Sequence, residues 1–318
     1  MHHPYAKTDL HLHLDGSLRM ETILTLAARQ GVALPADTPD GLTPYCMVPP
    51  GCHSLAEYLA CFDLPLSVLQ TADALRYAAS ELVITLGMQG LTCAEIRFAP
   101  QLHGQRGLAQ AGAVEAVLAG VQDGRRRYPF LKAGVILCMM TTGSDADNAE
   151  TVRLALAYRD KGVCAVDLAG QEDARPMQEY AGLLAPARDA GLPITLHAGE
   201  AGTYRNVALA VKLGARRIGH GTHAANAPKL LRQLVAQGIV LEQCVTSNVQ
   251  TQCVGSYQSH PIRRLFDAGV KIAVCTDNMT VSGTTLAREY QILRDVHGFT
   301  DDELAVLARY AREASFVA

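Results

Sequence analysis

The stretch KTDLHLHLD, residues 7–15, reads as a short buried β-strand, being brief, rich in apolar residues and closed by a polar one. His11 and His13 stand two apart in it, so both imidazoles project to one side of the pleat while Leu12 and Leu14 take the other. No glycine-rich dinucleotide or P-loop motif follows this strand, which argues against an open doubly wound sheet. An HxH pair alone does not distinguish a hydrogen-bonded core pair from a pair of metal ligands. Its company along the chain has to decide.

Seven further runs of the same kind follow: LTCAEIRFA (91–99), AGVILCMMT (133–141), GVCAVDLAG (162–170), LPITLHAGE (192–200), ARRIGHG (215–221), GIVLEQC (238–244) and VKIAVCTDN (270–278). Segments between them, such as NAETVRLALAYRDKG and APKLLRQLVAQG, space apolar residues three and four apart and end in glycine, as helices do. Eight strands alternating with helices form a parallel sheet. A doubly wound sheet satisfies that alternation, but eight is the number that closes a barrel, and the expected fold is an α/β protein of the (β/α)8 TIM type. A single domain over 1–318 is expected, with a helical insertion at about 16–90. Helical patterns near 20–30 and 54–70 lie in that interval, joined by TPYCMVPPG. It leaves the barrel face where active sites lie, which makes it a candidate lid.

Composition excludes other classes. The chain has 318 residues, 49% hydrophobic and 19% charged, which rules out disorder and fibrous repeats. A net charge of −3 gives no electrostatic footprint for nucleic acid or an anionic membrane. The basic run Arg125-Arg126-Arg127 reads as a solvated helix end. No apolar stretch approaches a membrane span and the N-terminus carries no signal core, so a cytoplasmic protein is expected. Nine cysteines without a CxxC pair read as buried reduced thiols.

The predicted strand ends carry the chemistry. Besides His11 and His13, the fifth strand ends near His197, the sixth near His220 and the eighth near Asp277, so five metal-binding or ionisable groups gather at one end of four strands. Buried without partners they would be costly. Neutral imidazoles with one carboxylate suit Zn²⁺ and leave a position open for water, as catalytic zinc sites do. There is no HExxH helix, and no HxE with PCxxC of the cytidine deaminase type.

In this order, HLHLDGS, TLHAGE, RIGHG, CVTSN and CTDN resemble the adenosine deaminase family of metal-dependent amidohydrolases, from about Lys7 to near the C-terminus. SLAEYLACFDLPLSVLQT and SGTTLAREY resemble its lid and final-barrel segments. The resemblance implies one Zn²⁺ per chain on His11, His13, His197 and Asp277. It implies that Glu200 of HAGE protonates purine N1, and that His220, with Asp277, orients the attacking water. It also implies that the Gly170 N–H meets purine N3 and that Asp15 meets a sugar hydroxyl. His13 would border the substrate as well as the metal, with Tyr58, Leu59 and Phe62 closing over it from the inserted helix. Ordinary roles compete with some of these: a helix-start carboxylate for Glu200, a plain hydrogen-bonding histidine for His220, a turn residue for Asp15, and core packing for the lid trio. His2, His3, His53, His103, His223, His260 and His297 are left as structural or surface groups.

The chain departs from the family where Asn278 follows the ligand Asp, a place where relatives commonly carry a second Asp. An Asn amide donates at any pH, so it either keeps the contact to purine N7 or marks a different substrate. Gln171, Thr141 and Val245 also differ from common family forms. The activity implied is hydrolytic deamination of adenosine or 2'-deoxyadenosine to an inosine product and ammonia. Adenine, or a 5'-modified adenosine such as aminodeoxyfutalosine, is the alternative substrate, and a catalytically silent purine-binding protein is the remaining reading.

Overall fold

The computed structural model describes residues 3–52 and 54–317, the side chain of Leu55 excepted. His2 and His53 lie outside the described residues. All eight expected strands form: β1 (Thr8–His13), β2 (Cys93–Phe98), β3 (Lys132–Met140), β4 (Val163–Ala169), β5 (Thr195–Ala198), β6 (Arg217–His220), β7 (Val240–Gln243) and β8 (Lys271–Val274). They pair in parallel in the orders β1-β2-β3-β4 and β5-β6-β7-β8. The two halves meet at two seams. Val166 bridges Ile194 between β4 and the start of β5, and Leu12 bridges Asp277 between β1 and the end of β8. The sheet therefore closes into the expected barrel.

The second seam places function and closure on the same residues. His13 N–H donates to Asp277 O at 2.7 Å, and Asp277 N–H donates to His11 O at 2.8 Å. The backbone that shuts the barrel thus fixes three of the expected metal ligands against one another. Asp277 and His220 both have positive φ, 63° and 61°, a conformation rare for residues with a side chain. At these two strand ends the chain turns sharply while the side chain stays aimed inward.

Outer helices follow the sequence signals. The helix Pro228–Gln237 carries Pro at its first position and stops at Gly238, whose φ of 65° a Cβ would disfavour. The run Arg125-Arg126-Arg127 forms the last turn of the helix Gln110–Arg127, where positive charge faces the negative helix end. Between β1 and β2 lie the helices Met20–Gln30, Pro39–Cys46, Leu55–Ala60, Asp63–Ser67 and Ala72–Met88. The cysteines are free thiols among the described residues, and all but Cys253 are buried. No helix among the described residues is long and apolar enough to cross a membrane.

The barrel interior is ionic as well as apolar. Glu95, Arg97, Asp167, Arg217 and Glu242 are all essentially inaccessible to solvent. Arg217 pairs with Glu242 at 2.6 Å and with Glu95 at 2.5 Å. Arg97 donates to Asp167 at 2.8 Å, to Glu242 at 2.9 Å and to Leu10 O at 2.8 Å. Buried charges persist only when each is paired in this way. Alternation along a strand reveals that such side chains face the axis, but not which charge meets which.

Candidate active site

At the C-terminal mouth, His11, His197, His220 and Asp277 bring one possible ligand atom each to within 4.8 Å of all the others. His13 joins them from the end of β1. Its Nε2 lies 3.4 Å from Asp277 Oδ1, the same oxygen that His11 Nε2 approaches at 3.4 Å. All five groups singled out in the sequence therefore converge on one point.

Partners behind the rings determine what they present. His11 Nδ1 lies 2.8 Å from Glu242 Oε2, and His197 Nδ1 lies 3.0 Å from Asp167 Oδ2. Each carboxylate accepts the Nδ1 proton, so each Nε2 carries its lone pair into the cluster. Arg97 grips both carboxylates and thereby sets both rings. His11 Nε2 is fully buried and has no hydrogen-bond donor facing it, only the Asp277 oxygen. Two lone-pair-bearing atoms meeting in a buried place is the arrangement a divalent cation satisfies, and imidazole with carboxylate is a zinc-type donor set.

The remaining electrostatics agree. Burial opposes ionisation of Asp277, but the imidazoles of His11, His220 and His13 around it hold its carboxyl well below the usual range. Ser247 Oγ donates to Asp277 Oδ2 at 2.6 Å and fixes its orientation. Glu200 is shifted the other way: burial, then the Asp277 charge, pushes its pKa up to about 8. A carboxyl in that environment holds its proton at neutral pH. Its Oε2 faces His220 Nε2 at 3.4 Å, and its Oε1 accepts from Thr251 Oγ1 at 3.0 Å. The helix-start alternative for Glu200 fails, because the next helix begins at Tyr204 and is capped by Thr203.

Glu200 owes its position to a residue that sequence reasoning missed. Buried Glu172 accepts from the backbone N–H groups of Gly199 at 2.7 Å, Glu200 at 3.0 Å and Gly202 at 2.8 Å, and from Asn206 Nδ2 at 2.8 Å. His223 Nδ1 holds the other side of this loop through Gly199 O at 2.9 Å. The approach is so close that a Cβ on Gly202 would sit 2.6 Å from Glu172 Oε1. Only the fold brings the β4 loop under the β5 loop, and no local pattern announces it. His260, set aside from sequence as structural or surface, is likewise tied to the site, through Asn248.

Above the cluster lies a cavity of about 240 Å³, lined by His13, Asp15, Gly170, Glu200 and Asn278 with Leu59, Phe62, Leu102 and Met140 among the apolar groups. Asp15 accepts from Gly16 N–H at 3.1 Å, so it is a turn residue and a cavity wall at once, and burial pushes its pKa up to about 6. At Gly170, φ is 99° and a Cβ would meet Thr141 Oγ1 at 2.8 Å, so glycine keeps the backbone open to the cavity. Tyr58 is buried, and its hydroxyl bonds Ser282 Oγ at 2.8 Å while accepting from Asn278 Nδ2 at 2.9 Å. Asn278 thus uses one amide proton to hold the inserted helix. A Cβ on Gly16 would overlap the Asn278 side chain at 1.9 Å, which explains glycine there.

A sequence profile of the adenosine deaminase family matches residues 6–318. The chain belongs to the adenosine deaminase family. Like its relatives, this adenosine deaminase family member is a hydrolase of the amidohydrolase barrel type. An adenosine deaminase of Haemophilus ducreyi is 43% identical over 317 residues, covering 98% of this chain and 92% of the relative. Among solved structures, adenine deaminase from Arthrobacter aurescens superposes with a TM-score of 0.88 at 26% identity, covering 98% of this chain and 93% of that one. Arabidopsis N6-mAMP deaminase gives a TM-score of 0.86 at 28% identity over the same shares.

Proposed function

We propose that the protein hydrolyses the 6-amino group of adenosine or 2'-deoxyadenosine, taking up one water and releasing an inosine-type nucleoside and ammonia. The observation that carries this reading is the placement of buried Glu200, whose pKa burial pushes up, 3.4 Å from His220 at the edge of the histidine and aspartate cluster. His11, His13, His197 and Asp277 would hold a Zn²⁺. Such an ion supplies Lewis-acid activation of water near neutral pH.

The chain's own groups do the rest. Attack at C6 breaks the aromaticity of the ring unless N1 gains a proton as the tetrahedral carbon forms, and Glu200 places its acid proton there. The Gly170 N–H binds purine N3, Asp15 takes a sugar hydroxyl, and Asn278 offers its second amide proton to N7. Tyr58, Leu59 and Phe62, on the insertion at about 16–90, close the site against bulk water.

Absence of cationic groups from the lining narrows the substrate. Among the described residues that line the cavity there is no Lys or Arg, while Asp15 and Asp63 are both present. A 5'-phosphate would meet two carboxylates and no counter-charge, so an uncharged nucleoside is favoured over a nucleotide. Ultraviolet and ammonia assays of Zn²⁺-loaded protein against adenosine, adenine, AMP and 5'-modified adenosines test this. Adenosine should be turned over fastest and AMP at least about 100-fold more slowly, a difference of roughly 2.7 kcal/mol. Ammonia release from none of them refutes the deaminase reading.

A further inference from the structure

We propose that Asn248 and His260 are positioning residues that fix the tautomer of His220, holding its ring proton on Nε2. His220 then meets the reacting centre as a hydrogen-bond donor; it neither ligates the metal nor accepts a proton from water. The role in the reaction rests on the deaminase reading, whereas the tautomer follows from hydrogen bonds alone.

One hydrogen bond in this chain has a fixed direction. Ile262 N–H donates to His260 Nδ1 at 3.2 Å, and a backbone amide cannot accept. That nitrogen is therefore unprotonated. Burial pushes the pKa of His260 down to about 3, so the ring is neutral and its one proton sits on Nε2. His260 Nε2 lies 3.1 Å from Asn248 Oδ1, which also accepts from Thr222 Oγ1 at 3.2 Å. The Nε2 proton of His260 identifies that atom as the amide oxygen, with the Thr222 hydroxyl free to donate to it, and Asn248 Nδ2 then faces His220 Nδ1 at 3.0 Å. An amide N–H only donates, so His220 Nδ1 accepts and its proton is on Nε2.

Turning the Asn248 amide over breaks the chain at His260, although the Thr222 hydroxyl could accept instead of donate. Its N–H₂ group would face Thr222 and His260 Nε2, and the His260 proton would move to Nδ1 against the Ile262 N–H. Asn248 is wholly buried and His260 nearly so, so no water is at hand to make up the loss.

The consequence appears by contrast. His11 and His197 donate Nδ1–H to carboxylates and aim lone pairs into the cluster, as ligands must. His220 has an amide donor in the place of a carboxylate, so it aims a proton at the same point. Its distance alone would admit it as a ligand beside His11, His197 and Asp277; its hydrogen bonding does not. The Nε2–H faces Glu200 Oε2 at 3.4 Å and the space where the nucleophile and C6 must meet.

Two-bond proton–nitrogen correlation spectra of ¹⁵N-histidine-labelled protein, with and without Zn²⁺, test the tautomer directly, with His220→Asn to assign the signal. The expected spectrum is that of an Nε2–H imidazole in both samples; an Nδ1–H pattern overturns the proposal without any variant. Asn248→Asp keeps the shape but supplies an acceptor, so it should move the His220 proton to Nδ1. Turnover should then fall by about 100-fold or more, as wrong-tautomer catalytic histidines do, with Zn²⁺ content and KM little changed. A swapped tautomer with full turnover overturns the catalytic role. Should Asn248→Asp not fold, His260→Leu removes the fixing donor and should give mixed tautomers at His220; an unmixed Nε2–H signal there refutes the relay. An inactive wild type showing the Nε2–H signal overturns the deaminase reading while supporting the tautomer assignment.

Discussion

Glu172→Gln removes a charge and one acceptor from a carboxylate on which four donors converge. Oε1 accepts from Gly199 N and Asn206 Nδ2, and Oε2 accepts from Glu200 N and Gly202 N. Whichever side the new N–H₂ group takes, two N–H donors face it, so two charge-assisted hydrogen bonds are lost. At roughly 1.5–3 kcal/mol each, the ceiling is about 3–6 kcal/mol. The loop can move away rather than tolerate the clash, so the measured loss of stability should fall below that ceiling, at about 2–4 kcal/mol. Movement carries Glu200 with it, and displacement by an ångström costs on the order of 100-fold in turnover. Urea unfolding and kcat for adenosine are the assays, with Zn²⁺ content measured in parallel, since His197 stays on β5 and should keep its ligand role. Wild-type stability together with wild-type kcat would refute the reasoning.

Glu200 should impose an alkaline limit on the rate. As the proposed proton donor it works in its acid form, which prevails below the pKa of about 8 and is lost as pH rises through it, so kcat/KM should fall about tenfold per pH unit above that value; a rate flat to pH 10 excludes Glu200 as proton donor. Arg97→Met leaves Asp167 and Glu242 buried without their shared cation. It should cost about 3–5 kcal/mol in denaturant unfolding and weaken Zn²⁺ binding by about 10–100-fold in chelator competition. Arg97→Lys should recover stability better than affinity, because an ammonium cannot hold two carboxylates in the guanidinium fork; equal recovery of both argues against ring-setting by Arg97. Tyr58→Phe deletes the hydroxyl shared by Asn278 and Ser282 and should raise KM for adenosine by about tenfold, near 1.4 kcal/mol. Unchanged KM would show that this contact does not hold the lid.

The eight strands and the barrel were legible because each strand is a short apolar run bounded by turn residues, a local property of the chain. His11 and His13 were legible as a pair for the same reason: a period of two puts them on one face. The order of HLHLDGS, TLHAGE, RIGHG, CVTSN and CTDN placed Glu200, His220 and Asp277 at strand ends before any contact was seen. Sequence did not disclose which groups complete those residues. Glu172 reaches a loop 27–30 residues away, Arg97 joins Asp167 to Glu242, and Asn248 bridges His260 to His220.

By itself, then, the sequence determined the alternation of strands and helices, the closure of the barrel, the side of β1 that carries two imidazoles, and the family. Tertiary structure alone decided the partners: which carboxylate sets which histidine, which loop holds Glu200, and which amide faces His220. The physical reason is range. Periodicity and turn chemistry act within a few residues and leave a pattern in the chain, whereas a hydrogen bond between two loops depends on where the closed barrel delivers them.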